Sequence, residues 1–223
     1  MAIEFLGFTV WIDCEDKELP EYEVQVEDEN TVSCYIASEV GKEFKIGWIN
    51  KSPLAQCVVA CYMDGRPVGG KPSARTQAGG IDGVYTAAGT MRPFKFSPVV
   101  TTALRDSADD DDIADPDGVD PDLGSLQIEV HRVAGRGDAG LRADHAQNQA
   151  RGRVLDIGPV HERSKKLGAH HVALGDAVHR PDGRRPQFLA PTYAPNLGPY
   201  AVFRFLYRPR GTSGGALRCR LMC

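Results

Sequence analysis

Residues 124–133 read Gly124-Ser125-Leu126-Gln127-Ile128-Glu129-Val130-His131-Arg132-Val133. Leu126, Ile128 and Val130 alternate with Gln127, Glu129 and His131. A two-residue period sets the apolar side chains on one face of an extended strand and the polar ones on the other. A helix would repeat its faces every three to four residues and would scatter this pattern around its circumference. The same alternation recurs along most of the chain, and it decides for an all-β fold.

Toward the N-terminus, Phe8, Val10 and Ile12 share a face of the run Phe8–Asp13. Tyr22–Glu27 and Thr31–Ile36 flank Asp28-Glu29-Asn30 and predict a hairpin. In Glu43–Ile49 the inward set is Phe44, Ile46 and Trp48. Cys57–Met63 is apolar on both faces, which predicts a strand enclosed by neighbours. Asp64-Gly65 is the strongest short turn signal. Arg66-Pro67-Val68 returns from it, and Pro67 confines that strand to an edge. Lys71–Gly80 reads as a loop, followed by short strands at Val84–Ala88 and Pro93–Ser97. At the other end, Tyr200–Pro209 alternates Ala201, Phe203, Phe205 and Tyr207 against Val202, Arg204, Leu206 and Arg208. About nine or ten short strands with turns between them predict an antiparallel β-sandwich rather than a closed barrel.

One segment departs from the pattern. Val160–Leu167 carries no proline, follows Pro159, and holds Glu162 and Lys166 four apart in the favourable order. Gly168 suits a helix stop. A short helix is expected over 160–167, leaning on the sheet because two turns are not stable alone. His170–Leu174 then alternates as a half-buried strand.

The chain has 223 residues, 42% of them apolar, with 24 glycines and 15 prolines, a composition that favours turns and loops over long helices. A single domain over 1–209 is expected, with an acidic loop at 106–122, an inserted loop at 135–158 and a disordered tail at 210–223. The net charge of −4 hides an asymmetry. Residues 1–50 hold 3 basic and 12 acidic side chains, residues 51–130 hold 7 and 12, and residues 131–223 hold 16 and 6. An acidic front and a basic back are expected to attract each other. The arginines lie in Gly-rich loops rather than on one periodic face, which argues against a nucleic-acid surface. No apolar run approaches the roughly 20 residues of a membrane helix. No secretory signal is evident, so an intracellular protein is expected. Cys14, Cys34, Cys57 and Cys61 sit in strand-like runs and are expected as reduced thiols. Asn50-Lys51-Ser52 matches a glycosylation acceptor, which stays unused without export.

Three blocks together resemble an uncharacterised family of fungal proteins, abundant in mushrooms and their relatives and grouped as a domain of unknown function. The first is Gly7–Cys14 with Leu19-Pro20-Glu21-Tyr22. The second is Met63-Asp64-Gly65-Arg66, Gly69-Gly70 and Arg92-Pro93-Phe94-Lys95-Phe96. The third is His161-Glu162-Arg163-Ser164-Lys165-Lys166, Gly168, His170 and Tyr207-Arg208-Pro209. The resemblance covers most of residues 5–209 and implies neither an activity nor a ligand. Residues 135–153 and the stretch after Pro209 depart from the family's pattern.

Chemical motifs are weak. Asp115, Asp117, Asp120 and Asp122 with Gly118 offer hard oxygen ligands for calcium. An EF-hand register would put Ile113 at the first ligand position and has no closing Glu. Cys57 and Cys61 share a strand face about 13 Å apart and cannot chelate one ion. Ser164 follows His161 by three residues, without a nucleophile elbow or an oxyanion site. No cofactor motif, catalytic set or metal set is assigned. The densest polar cluster is His161, Glu162, Arg163, Lys165 and Lys166, with His170 close behind. It reads either as a structural pin between helix and sheet or as a surface for an acidic peptide or protein, where Arg163 suits bidentate carboxylate binding. The expected function is a non-catalytic β-sandwich module that binds a protein partner through this cluster or an exposed sheet edge. The alternative is a calcium- or metal-dependent protein or enzyme using loop carboxylates and histidines.

Overall fold

The computed structural model describes residues 2–87, 89–102, 122–132, 160–161, 170–180 and 198–210. Its strands in chain order are β1 (Ile3–Phe5), β2 (Phe8–Cys14), β3 (Lys17–Glu18), β4 (Glu21–Val26), β5 (Thr31–Ser38) and β6 (Glu43–Asn50). Then come β7 (Gln56–Met63), β8 (Arg66–Ala74), β9 (Ala78–Ile81), β10 (Gly83–Ala87), β11 (Thr90–Pro98) and β12 (Thr101–Thr102). The last are β13 (Ser125–Arg132), β14 (Val160–His161), β15 (His170–Leu174), β16 (Val178–His179) and β17 (Ala201–Pro209).

Two sheets make the sandwich. The first follows the order β1-β2-β6-β11-β10, with β3 against β2, β9 against β6, and β15 and β16 against β11. The second runs β4-β5-β17-β13-β7-β8. A separate parallel pair joins β12 to β14. Three hairpins turn on two residues with positive φ, the backbone whose twist matches that of the strands it joins. They are Leu6-Gly7 (φ 46° and 77°), Glu15-Asp16 (51° and 62°) and Asp64-Gly65 (51° and 75°).

The alternation read from the sequence becomes the core. Leu126, Ile128 and Val130 of β13 are fully buried, as are Val10 and Ile12 of β2, Phe94 and Phe96 of β11, and Phe203 and Phe205 of β17. Aromatic pairs bridge the layers: Phe96 meets Tyr207 at 5.1 Å and Phe5 meets Phe203 at 6.2 Å between centroids. Each such ring contributes about 1.5–3 kcal/mol by leaving water, and edge contacts between rings add about 1 kcal/mol.

Four expectations change. Val160 and His161 form a short parallel strand with Thr101 and Thr102 instead of opening a helix. Backbone pairing across the chain replaces local hydrogen bonds at that point, and the rest of the expected helix, 162–167, lies outside the described residues. No helix occurs among the described residues. Lys71–Gly80 is largely strand, not loop: β8 continues to Ala74 and β9 begins at Ala78. Its glycines carry no side chain to alternate, yet close approach requires them. Gly79 lies opposite Trp48, and a Cβ there would stand 2.5 Å from the indole. The sheets are not wholly antiparallel, because β5 and β17 pair in parallel from Thr31↔Val202 to Ser38↔Pro209. The strand segments also outnumber the nine or ten expected, since several of the additional ones are only two or three residues long.

The acidic loop 106–122, apart from Asp122, the inserted loop 135–158 and the tail beyond Arg210 lie outside the described residues.

Candidate functional site

The basic block is only partly described. His161 is placed by its backbone in β14, and Glu162, Arg163, Lys165 and Lys166, with Ser164 among them, lie outside the described residues. His170 opens β15 and is buried between the sheets. Its Nδ1 is 2.7 Å from Ser38 Oγ at the end of β5. Burial, with a smaller push from the neighbouring His171, holds its pKa below the ordinary value, so the neutral imidazole is favoured.

Beside it lies a buried polar knot. Asp64, at the β7–β8 turn, is 1% exposed. Its Oδ1 accepts hydrogen bonds from Gly124 N at 2.7 Å and Tyr207 Oη at 2.5 Å, and its Oδ2 accepts one from Val172 N at 2.8 Å. Burial pushes the Asp64 carboxyl above the usual range, against the three donors that favour its charge. Burial and the facing carboxylate raise the Tyr207 hydroxyl well above its ordinary value. β7, β13 and β17 belong to one sheet and β15 to the other, so one carboxylate ties four strands across the sandwich. The sequence showed Asp64 only as a turn residue. Its partners stand 60, 108 and 143 residues away, and nothing local marks them. With acid, hydroxyl and imidazole all enclosed, the knot is fitted to hold strands rather than to meet a substrate.

The rim of the second sheet is asymmetric. Its β8 edge is interrupted: Pro67 and Pro72 carry no N–H, and Lys71 Nζ donates to Gly80 O of the first sheet at 2.6 Å. The opposite edge, β4, pairs only with β5 among the described strands. Its register slips between Tyr22 and Gln25, a bulge at which Glu23 takes φ 52°. Val26 stands opposite the buried Val32, on the core-facing side. Glu23 and Val24 together face the level of Cys34. Yet Val24 is 53% and Val26 60% exposed. The apolar inner face of the sheet therefore runs out to its last strand and stays uncovered there. In sequence these valines lie among Glu18, Glu21, Glu23, Glu27, Asp28 and Glu29, with no Lys or Arg in 18–30.

Other polar groups are committed locally. A cavity of about 490 Å³ beside β2, β6 and β11 is lined by Asp13, Asp16, Asp82, Lys45 and Arg180, among others. Lys45 pairs with Asp16 at 2.7 Å, Arg180 with Asp82 at 3.0 Å, and Asp13 accepts Trp11 Nε1 at 2.9 Å. On the outer face of β13, His131 and Gln127 both bond Glu129, and the His131 contact is the chief cause of its lowered pKa. Asp122 of the calcium candidates bonds Arg204 at 3.3 Å. Among the described residues no three His, Cys, Asp or Glu side chains are arranged to hold a metal ion. Cys14, Cys34, Cys57 and Cys61 are free thiols, and burial pushes Cys34 and Cys61 up to about 12. Asn50 is wholly buried and its Oδ1 accepts from both N and Oγ of Ser52, which leaves no place for a glycan. No helix among the described residues is long and apolar enough to cross a membrane.

The chain matches the family described as Domain of unknown function (DUF7918) over residues 7–212, and it belongs to that family. No curated protein and no solved structure matches it.

Proposed function

We propose that this member of the DUF7918 family is a non-catalytic module that binds a protein partner, with the β4 edge as the contact. The observation that carries this is the pair Val24 and Val26, both more than half exposed on the edge strand of a sheet whose other edge strand is interrupted by two prolines. Unpaired strand edges are templates for another chain, and proteins usually blunt them. Here the bulge and the glutamates restrain the edge without covering its valines. The four free thiols favour a reducing compartment, and so an intracellular role, and the His161–Lys166 block favours a fungal source. That block, with His170 behind it, is the competing contact, suited to an acidic partner.

Affinity capture from cells that express the protein separates the two contacts. The baits are wild type, Val24→Ser with Val26→Ser, and Arg163→Ala with Lys166→Ala. The edge variant is expected to lose its partner at least tenfold while keeping its circular dichroism, and the basic-block variant to retain it. Equal recovery by the edge variant would remove β4 from consideration. Loss in the basic-block variant alone would move the contact there.

A further inference from the structure

We infer that the outer face of the first sheet binds a neutral oligosaccharide, one sugar ring stacked on Trp11 and the hydroxyls of the next held in the adjoining cavity. This site lies on the other sheet from β4 and goes beyond the reading above, so either can fail without the other.

Trp11 is the platform. Val10 and Ile12 beside it are fully buried, so Trp11 points from β2 to the outer side, where it is only partly buried. Gly47 stands opposite it on β6. A Cβ added to Gly47 would lie 2.4 Å from Trp11 Cε2, 2.5 Å from Cζ2 and 2.7 Å from Nε1. Cε2 is bonded to both of the others, and near-equal distances to all three place that point over the ring rather than at its rim. The indole therefore lies face-down on the glycine, and its second face is turned away from the sheet. Nε1 donates to Asp13 Oδ2 at 2.9 Å, which fixes the ring in its plane. A rigid indole with one face outward suits the C–H face of a pyranose, whose axial hydrogens meet the negative face of the π-system.

Asp13 joins this platform to the cavity of about 490 Å³, whose wall it shares. That volume is within the range of small-ligand sites. Three of the five carboxylates on the wall are already ion-paired: Asp16 with Lys45, Asp82 with Arg180 and Glu15 with Lys42. The paired side chains all remain partly or largely exposed. Each pair sets donors beside acceptors and cancels its own charge. Such pairs fit a neutral ligand with vicinal hydroxyls, each of which both donates and accepts. A charged ligand gains less from them, because it must compete with a counter-ion already in place.

Titration of the intact chain with cellohexaose and laminarihexaose tests this, read by calorimetry and by the indole N–H signals in a nitrogen-proton spectrum. At least one sugar is expected to bind and to shift the Trp11 signal. The signal of Trp48, which is buried and bonded to Ser73 inside the sandwich, should stay in place. Trp11→Ala should weaken binding about tenfold or more, and Trp11→Phe, which keeps a ring, by less. Asp82→Asn with Arg180→Ala, at an exposed pair, should cost roughly fivefold or more without loss of the fold. Should Trp11→Ala fail to fold, Trp11→Phe and the cavity variant decide. Salt at about 0.5 M should change the affinity less than about twofold, since the ligand is neutral. Val24→Ser with Val26→Ser should bind as wild type does. If neither sugar binds, or if binding survives the Trp11 and cavity variants unchanged, Trp11 is only a cover for Gly47 and the inference falls. A capped peptide of alternating Arg and Gly that shifts the Trp11 signal where the sugars do not would name a protein's guanidinium as the ligand and overturn the inference.

Discussion

Asp64 joins strands of both sheets through three buried hydrogen bonds. Asp64→Ala would leave the Gly124 and Val172 N–H groups and the Tyr207 hydroxyl without their acceptor inside the sandwich. Each stranded donor costs about 1–3 kcal/mol, so a loss of about 3–5 kcal/mol is expected by urea denaturation. Asp64→Asn keeps one carbonyl oxygen and tolerates the positive φ, but it turns an N–H₂ toward one of the donors, for a loss of about 2 kcal/mol. Tyr207→Phe removes a single bond and should cost about 1 kcal/mol. A flat series would show that the knot is incidental. His170 adds a pH dependence. Its folded pKa lies below the ordinary value of about 6.5, so the unfolded chain takes up a proton first as pH falls. This group is neutral in both states at higher pH, and it costs stability progressively as pH drops from about 6.5 through the folded value. Asp64 acts oppositely: its raised pKa gives a contribution fully present below about 3.8 and lost as pH rises through the folded value. A comparison of His170→Asn with wild type isolates the histidine. The variant should lose less stability than wild type between pH 7 and 5, and parallel urea midpoints across that range would refute the assignment.

At the level of strands, local sequence specifies the elements that have one face in the core. β13 and β17 announce themselves by alternation because each has one face in the core. The β4–β5 hairpin and the Asp64-Gly65 turn follow from short-range chemistry. The misses share a cause. β8 and β9 are held by backbone pairing across glycines, with Gly69 and Gly70 of β8 opposite Cys61 and Ala60, and Gly79 of β9 opposite Trp48, where the partner strand supplies the side chain and the glycine supplies room. Val160-His161 has the composition of a helix start, but its strand assignment is set by Thr101-Thr102, nearly sixty residues earlier. The candidate contact was half legible. An exposed sheet edge was expected, but which edge stays open depends on strand order, and strand order is a property of long-range pairing. The valines of β4 look like any inward-facing pair in the sequence. Among the described strands none lies beyond β4, and that makes them a surface.

At the scale of the molecule, three arginines of the basic back meet acids of the front among the described residues. Arg180 reaches Asp82, Arg204 reaches Glu27, and Arg210 reaches Glu39 at 2.6 Å. These pairs are partly exposed and worth about 0–1 kcal/mol each, so they orient the chain's end without holding it. The hold comes from β17. It lies between β5 and β13 in the middle of the second sheet, parallel to one and antiparallel to the other. It also supplies Phe203, Phe205 and Tyr207 to the core. The element nearest the C-terminus of the described fold is thus central to it, and the sheet cannot close until nearly all the chain is present. Pairing strands so far apart in sequence carries a loop-closure cost before any contact forms, which favours cooperative folding. A chain ending at Gly198 should therefore have no stable remnant of the second sheet. Its near-ultraviolet circular dichroism should be lost and its urea transition should be broad or absent, while a chain ending at Arg210 should keep both. A sharp transition in the Gly198 truncation would mean that the β1–β2–β6–β11 layer holds together without its partner, and that the two sheets are not one cooperative unit.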